Sequence, residues 1–380
     1  MTEKIRFSPS ICVTHSCNLN CIYCYQKHDN SSRMDFETAK KILDYIFDNV
    51  PKGMEGIEIN IIGGEPLLEF DLIKQMLSYA ESVPRKYPYL FYATTNGTLL
   101  TEEMKEWFIK NRKHFWLGLS LDGAKETHDY NRSNSFDKID IDFFKKNWPN
   151  QSVKMTLSDF SLKNLAKDIK FIHSLGFPIR GVNEFEGDFN WDKDEYIKTL
   201  IPQLKELSEF YIENDDIELD QLLGMNLHFC ELIPKVRRKW CGIGDGAPFF
   251  DFDGTQYPCN YITPMSFSMD EIEELQKIDY KNVDNFMDEE CIENCYIYPI
   301  CPTCAGACFL SNKTFKKRTK SRCRTQKLVT LFAAEIQAKR ILKNPDKYDE
   351  TVKYHTINAI KKIKELYLDE FKSFFPNEKS

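Results

Sequence analysis

The stretch RFSPSICVTHSCNLNCIYC, residues 6–24, joins a strand-like segment directly to three closely spaced cysteines. These cysteines follow the pattern Cys-x3-Cys-x2-Cys, at Cys17, Cys21 and Cys24. Three thiolates so close together can bind three irons of a [4Fe–4S] cubane and leave the fourth iron open to a small ligand. Zinc is the alternative, and it would need a fourth ligand such as His15 or His28.

Strands and helices alternate through the rest of the N-terminal half. Strand-like segments lie at 57–62, 89–97, 115–123, 153–157 and 178–184. Helical spacing marks 35–49, with Asp35 as its N-cap, and also 68–82, 101–112 and 162–175. This alternation predicts a parallel sheet, open or barrel-like, with its chemistry at the carboxyl ends of the strands. The runs 63–66, 95–97 and 120–123 lie at those ends.

A second group of cysteines lies in the C-terminal half. Its eight members are Cys241, Cys259, Cys291, Cys295, Cys301, Cys304, Cys308 and Cys323. Eight thiols match two four-ligand clusters, and a double zinc module is the alternative. The pair Asp253-Gly254 predicts a hairpin that delivers Cys259. Of the two remaining cysteines, Cys12 is expected in the core, and Cys230 in the core or as an alternative ligand.

Composition narrows the class of protein. The chain has 380 residues, 42% of them hydrophobic, and a formal net charge of −7. This balance argues against a nucleic-acid or anionic-membrane partner, since both require a basic surface. The sequence has neither a signal-peptide pattern nor an apolar run long enough to span a membrane, so a cytoplasmic location is expected. In that compartment, 13 cysteines favour metal binding over disulfides.

The motifs together resemble the radical S-adenosylmethionine (SAM) superfamily over residues 9–185. The resemblance implies an α/β fold with a partial (β/α)6 TIM-like barrel, a cluster on Cys17, Cys21 and Cys24, and SAM on the fourth iron. It also implies reductive cleavage of SAM to methionine and a 5′-deoxyadenosyl radical. The implied SAM contacts are Tyr23 beside the adenine, Gly63, Gly64 and Glu65 at the methionine amino group, and Ser120, Arg132 and Asn96. Independently, Glu65 can pair with an ammonium group, and Arg132 can bind a carboxylate with two hydrogen bonds.

Residues 236–330 resemble the SPASM extension of radical SAM enzymes, which implies two auxiliary [4Fe–4S] clusters and three clusters in all. The implied domains are a barrel (1–190), a bridging segment (191–238), a SPASM domain (239–330) and C-terminal helices (331–380). The dense group departs from the family pattern, because three residues separate Cys291 from Cys295 and Cys304 is additional. Following the family's crossed order, the first auxiliary cluster takes Cys241, Cys259, Cys308 and, as an added fourth ligand, Cys304. The second takes Cys291, Cys295, Cys301 and Cys323.

Enzymes with this extension act mostly on peptides and proteins, so the resemblance implies a short precursor peptide as substrate and a flavodoxin- or ferredoxin-type electron donor. We expect a thioether or carbon–carbon crosslink, or an oxidation. The alternatives are a sulfatase-type Cys or Ser oxidase, a peptide epimerase, and a non-catalytic zinc or iron–sulfur module. In the sulfatase maturases, an Asp directly after the cysteine equivalent to Cys259 acts as the catalytic base. Here that position is Asn260, which cannot accept a proton usefully, and this argues against a sulfatase-type oxidase. Only 16 residues precede Cys17, which leaves no room there for a leader-binding domain, so we expect any leader to be bound elsewhere, by a separate protein, or not at all.

Overall fold

A computed structural model describes residues 6–179, 181–183, 194–233, 239–244, 246–317 and 320–374. The strands are β1 (Arg6–Phe7), β2 (Ser10–Thr14), β3 (Gly56–Gly63), β4 (Tyr89–Thr95), β5 (Phe115–Leu119), β6 (Lys154–Thr156), β7 (Gly181–Asn183), β8 (Phe249–Phe250) and β9 (Gln256–Tyr257). The helices of the first half are α1 (Phe36–Asp48), α2 (Phe70–Ser82), α3 (Glu102–Asn111), α4 (Lys125–Asn131), α5 (Ile141–Asn147), α6 (Asp159–Leu162) and α7 (Leu165–Ser174). Those that follow are α8 (Asp194–Glu213), α9 (Phe229–Leu232), α10 (Met269–Gln276), α11 (Glu289–Asn294), α12 (Ala305–Asn312), α13 (Lys320–Lys343) and α14 (Glu350–Phe371).

The main sheet has the strand order β5-β4-β3-β2-β8-β9, with β1 paired to β3. Its pairs are parallel from β5 to β8, and β9 closes an antiparallel hairpin with β8. Thr14 pairs with Gly63, and Thr95 pairs with Leu119, so the carboxyl ends of four strands lie at one edge. The structure confirms the predicted α/β class and the parallel sheet.

Local chemistry explains where the helices begin. Asp35 precedes α1 and accepts a hydrogen bond from the backbone N–H of Thr38, as predicted. Thr101 caps α3 in the same way. The predicted helix 162–175 is instead two helices, α6 and α7. A capping box formed by Ser158 and Ser161 starts α6 three residues before the predicted start.

The chain divides into two compact units, each discontinuous in sequence. The first contains residues 1–155, 174–177 and 242–281, and the second contains 156–173, 178–241 and 282–380. This division follows spatial contacts, whereas the four sequence segments predicted above stay a prediction. Residues 191–193 and 234–238 of the predicted bridging segment lie outside the described residues.

In the second unit, α13 packs against both α8 and α14. One of its apolar clusters consists of Leu227, Ile297, Ile300, Ala334, Ala359, Ile363 and Tyr367. Arg340 on α13 donates to the carbonyl oxygens of Tyr211, Asn214 and Ile217, and so binds the C-terminal end of α8. Among the helices of the described residues, none has the length and apolarity needed to cross a bilayer.

Candidate functional site

The three N-terminal cysteines lie on the loop that leaves β2 at the carboxyl edge of the sheet. The backbone N–H of Cys24 donates to the carbonyl oxygen of Cys21 over 3.1 Å, which holds two of them on one turn. Partial burial raises the pKa of Cys17 to about 11, and Glu65, Cys21 and Cys24 add to this shift. The three thiols are therefore close enough to interact, and a positive metal centre would favour their thiolate forms.

Gly63 and Gly64 pack closely against the backbone that leads into this loop. A Cβ atom on Gly63 would lie 2.6 Å from the carbonyl oxygen of Thr14, and one on Gly64 would lie 2.4 Å from that of Ser16. The N–H groups of Gly64 and Glu65 donate to those same two oxygens over 3.0 and 2.8 Å. Glycine is thus required for the close approach of two backbone segments, a reason that sequence analysis did not foresee.

Glu65 ties the end of β3 to the end of β4. Its side chain is buried, with 1% of its surface exposed. One carboxylate oxygen accepts from the Thr95 hydroxyl (2.7 Å) and the Leu67 N–H (3.1 Å), and the other accepts from the Asn96 N–H (2.8 Å). Burial raises the pKa of Glu65 although these bonds oppose the rise. Its predicted contact with an ammonium group stays a prediction.

Asn96 contacts the cysteine loop itself. Its side-chain amide donates to Asn18 over 2.8 Å, and its carbonyl oxygen accepts from the Thr98 hydroxyl over 2.7 Å. Asn18 in turn donates to the Thr98 hydroxyl over 2.8 Å. This closed set of hydrogen bonds fixes the segment between Cys17 and Cys21.

A buried network centred on Asp122 supports the other side of the loop. The Asp122 carboxylate lies 3.0 and 3.1 Å from two Arg132 nitrogens and accepts from the Tyr23 hydroxyl over 2.5 Å. The Arg132 guanidinium also lies 5.4 Å from the centre of the Tyr23 ring. Burial is the largest single influence and raises the pKa of Asp122, but the charges of Arg132 and His128 and the hydrogen bonds from Arg132 and Tyr23 together outweigh it and hold this pKa below its usual range.

This network brings together two residues predicted to contact SAM, Tyr23 and Arg132, through a third that sequence analysis did not single out. Asp122 lies in the 120–123 motif, ten residues before Arg132. An acidic residue inside a recognised strand-end motif, close in sequence to Arg132, was the signal that could have identified it. Ser120, also a predicted contact, is buried at the end of β5, where its N–H donates to the Thr95 carbonyl oxygen over 2.9 Å.

Residues 251–265, which include Cys259, also contact the cysteine loop. Asp251 accepts from the ring of His15 over 2.7 Å, and the Tyr25 and Tyr261 rings stack at 4.7 Å. Lys27 donates its N–H to the carbonyl oxygen of Met265. The segment that carries Cys259 therefore contacts the loop of the N-terminal cysteines within the same unit.

His15 is engaged with Asp251, whereas His28 remains beside Cys24, with 3.5 Å between ring nitrogen and sulfur. The donor set at the loop is thus three thiols with one adjacent imidazole, and geometry alone does not separate iron from zinc. Cys12 is fully buried, as predicted. The Cys12 sulfur, a His15 ring nitrogen and an Asp251 carboxylate oxygen all lie within 4.8 Å of one another.

The second unit brings one predicted four-cysteine set together. Burial raises the pKa of Cys291 to about 12, and the nearby Asp288, Cys323, Cys295 and Cys301 add to this. Desolvation likewise raises the pKa of Cys304, with a contribution from Cys241. No disulfide joins any cysteine of the described residues. Three thiols close enough to affect a fourth, that of Cys291, fit the donor set of a cluster.

Cys308 is buried on α12, one turn after Cys304. Cys259 follows β9, as the predicted hairpin required, and belongs to the first unit. For Cys230 the sequence left two roles, a core residue or an alternative metal ligand. In the structure it packs against the apolar cluster of the second unit. Burial raises its pKa to about 12, with a further contribution from Cys295.

Comparison with known proteins gives concordant results. Residues 11–149 match the family model described as the radical SAM superfamily. The chain is 24% identical over 324 residues to a cysteine-type anaerobic sulfatase-maturating enzyme of Clostridium novyi, covering 75% of this chain and 84% of that protein. It is 26% identical over 290 residues to a serine-type anaerobic sulfatase-maturating enzyme of Bacteroides thetaiotaomicron, covering 65% and 67%.

Two solved structures share the fold. Native anSMEcpe with bound AdoMet superposes with a TM-score of 0.65 at 21% identity, covering 88% of this chain and 99% of that one. Streptococcus suis SuiB bound to the precursor peptide SuiA superposes with a TM-score of 0.54 at 17% identity, covering 84% and 76%.

Proposed function

Because residues 11–149 form a radical SAM domain, we propose that this chain is a radical SAM enzyme that removes hydrogen from a peptide substrate and leaves it crosslinked or oxidised. The observation that carries the proposal is the loop of Cys17, Cys21 and Cys24. Three kinds of contact hold it: the close backbone approach at the glycines, the hydrogen bonds between the Asn18 and Asn96 side chains, and the buried ion pair of Asp122 and Arg132. A radical SAM domain implies a [4Fe–4S] cluster, and these three thiols are the residues that would hold it.

When bound, the cluster and SAM supply a 5′-deoxyadenosyl radical, and the protein contributes binding, orientation and exclusion of water. Tyr23 and Arg132 are the proposed contacts for the adenine and the carboxylate of SAM. Asp122 orients both, because its carboxylate binds the guanidinium and the phenol together. Gly63, Gly64 and Glu65 are the proposed surface for the methionine amino group, with Ser120 and Asn96 as further contacts.

We further propose two auxiliary clusters. Cys291, Cys295, Cys301 and Cys323 would hold one, supported by the proximity of the other three thiols to that of Cys291 in the second unit. The sequence-predicted ligands of the other are Cys241, Cys259, Cys304 and Cys308, and the proximity of Cys304 to Cys241 within the second unit supports those two. A cluster with four protein ligands has no open iron for a substrate thiolate, so its role would be electron transfer.

The peptide substrate is proposed from two relatives. Anaerobic sulfatase-maturating enzymes act on proteins by name, and the SuiB structure contains a precursor peptide. We favour crosslinking or oxidation of a short ribosomal peptide with an external flavodoxin- or ferredoxin-type donor.

The test is anaerobic reaction of the reconstituted protein with SAM, dithionite and the short peptide encoded beside its gene. We expect 5′-deoxyadenosine together with a peptide lighter by two hydrogen atoms. The matched control replaces Cys17, Cys21 and Cys24 by alanine and keeps the other cysteines. Formation of 5′-deoxyadenosine with an unaltered peptide mass and no deuterium uptake from solvent would argue against peptide modification. Deuterium uptake at constant mass would instead indicate epimerisation.

A second candidate is oxidation of a Cys or Ser side chain, which the extensive match to sulfatase-maturating enzymes favours. Asn260 opposes it, because a neutral amide does not accept a proton usefully. Incubation with a Cys- or Ser-containing sulfatase peptide separates the candidates. Aldehyde formation by the wild type would support the second candidate, whereas no aldehyde from either peptide would exclude it.

A further inference from the structure

Tyr367 places a phenol beside one of the proposed auxiliary-cluster ligands. It lies on α14, far along the chain from the dense cysteine group, and 7% of its surface is exposed. Its hydroxyl oxygen lies 3.8 Å from the sulfur of Cys295, within hydrogen-bond distance for sulfur. This contact links the C-terminal helix to the metal-binding segment inside the second unit.

The direction of this hydrogen bond follows from the protons that the two groups carry. A cysteine sulfur that binds iron is a thiolate, which has no proton and can only accept. A tyrosine hydroxyl has one proton that it can donate. With Cys295 as a cluster ligand, the Tyr367 hydroxyl is therefore the donor and the Cys295 sulfur the acceptor.

The surroundings keep this contact away from water. Tyr367 belongs to an apolar cluster with Ile297, Ile300 and Ile363, and Cys295 packs against the same cluster. In a setting of low polarity, a hydrogen bond to a charged sulfur is stronger than at the surface. The bond also strengthens as negative charge builds on the sulfur, so it stabilises the reduced cluster more than the oxidised one.

We infer that Tyr367 is a positioning residue that donates a hydrogen bond to Cys295 and raises the reduction potential of the auxiliary cluster held by Cys291, Cys295, Cys301 and Cys323. The inference rests on the proposed function in one respect, namely that Cys295 is a cluster ligand. A raised potential makes this cluster a better acceptor for an electron leaving the oxidised substrate.

The experiment is a redox titration monitored by electron paramagnetic resonance. The protein carries alanine at Cys17, Cys21 and Cys24, so that only the auxiliary clusters contribute to the signal. In this background, Tyr367→Phe removes the hydroxyl and keeps the ring. We expect one of two reduction waves to move to lower potential. We compare the two proteins at the midpoint potential of the one that keeps Tyr367. At that potential, the ratio of reduced to oxidised cluster in Tyr367→Phe should be about threefold to tenfold lower, and a tenfold change corresponds to about 59 mV for one electron.

Tyr296→Phe is the matched control. Tyr296 is the next residue after Cys295, but its hydroxyl donates to Glu231 and not to the Cys295 sulfur. It should leave both waves in place. An unchanged titration of Tyr367→Phe with full iron content would overturn the inference, and so would loss of a cluster, which would assign Tyr367 a purely structural role. Cys295→Ala tests the premise separately, since full iron content in that variant would refute the proposed ligand set.

Discussion

Gly64→Ala tests the idea that backbone contact beneath the cysteine loop positions the metal ligands. The added Cβ would meet the Ser16 carbonyl oxygen at 2.4 Å, the Ser16 carbonyl carbon at 2.7 Å and the His15 carbonyl oxygen at 2.8 Å. All three are backbone atoms, so no side-chain rotation relieves the overlap. The first contact is about 1 Å short of ordinary van der Waals separation, and β3 and the loop must therefore move apart.

The cost has two parts. Overpacking of this kind costs about 1–3 kcal/mol. The separation also weakens the bond from the Glu65 N–H to the Ser16 carbonyl oxygen, now 2.8 Å, at about 1 kcal/mol. We therefore expect the free energy of unfolding to fall by about 2–4 kcal/mol. The displaced loop should also hold its cluster poorly.

Two measurements check this expectation: urea unfolding monitored by circular dichroism, and iron and sulfide content after anaerobic reconstitution. The variant should lose up to about four irons per chain, as a [4Fe–4S] site does when its ligands are misplaced. Gly246→Ala is the control, because a Cβ there meets nothing within 4 Å. A Gly64→Ala protein with wild-type stability and iron content would refute the argument.

Three further predictions concern other parts of the molecule. Asp122→Asn leaves Arg132 buried without its counter-charge and should cost about 3 kcal/mol in urea unfolding. Lys125→Ala, which removes the two pairs that an exposed lysine makes with Asp129 and Asp137, should cost less than about 1 kcal/mol, and equal effects would contradict the buried-pair interpretation. Replacing Cys17, Cys21 and Cys24 by alanine should remove about four irons, whereas Cys12→Ala should retain them, and iron loss from the latter would implicate Cys12 as a ligand. Burial raises the pKa of Asp220 from its usual 3.8 to about 6, so the folded protein binds this proton more tightly than the unfolded chain does. The resulting stabilisation is full below about pH 4 and is lost as pH rises to 6, a loss of about 2–3 kcal/mol that Asp220→Asn should abolish in unfolding curves across this range; parallel curves for the two proteins would disprove it.

The strands and the helices α1, α2 and α3 were predictable because their signals are local. Asp35 caps α1 in the predicted way, and the apolar run at 57–62 lies within β3. The pair Asp253-Gly254 turns the β8–β9 hairpin, with Gly254 at φ 87°, a conformation that favours glycine. Each of these features depends on residues a few positions apart.

Contacts between distant residues were not predictable in the same way. His15 binds Asp251 across 236 positions, and the Tyr367 hydroxyl lies beside Cys295 across 72. No periodicity or spacing in a single sequence relates such pairs, because the three-dimensional fold alone brings them together. Asp122 is an intermediate case, since its motif was recognised but its partner Tyr23 lies 99 positions away.

The hold of residues 251–265 on the cysteine loop has a consequence for biosynthesis. The loop emerges from the ribosome early, but Asp251, Tyr261 and Met265, which contact it, are translated more than 200 positions later. Residues 242–281 are the last part of the first unit to be translated. The N-terminal part of this unit therefore cannot complete its folding before they are synthesised. During translation the thiols of Cys17, Cys21 and Cys24 therefore lack these contacts, and insertion of iron into a rigid site follows synthesis of about the first 265 residues.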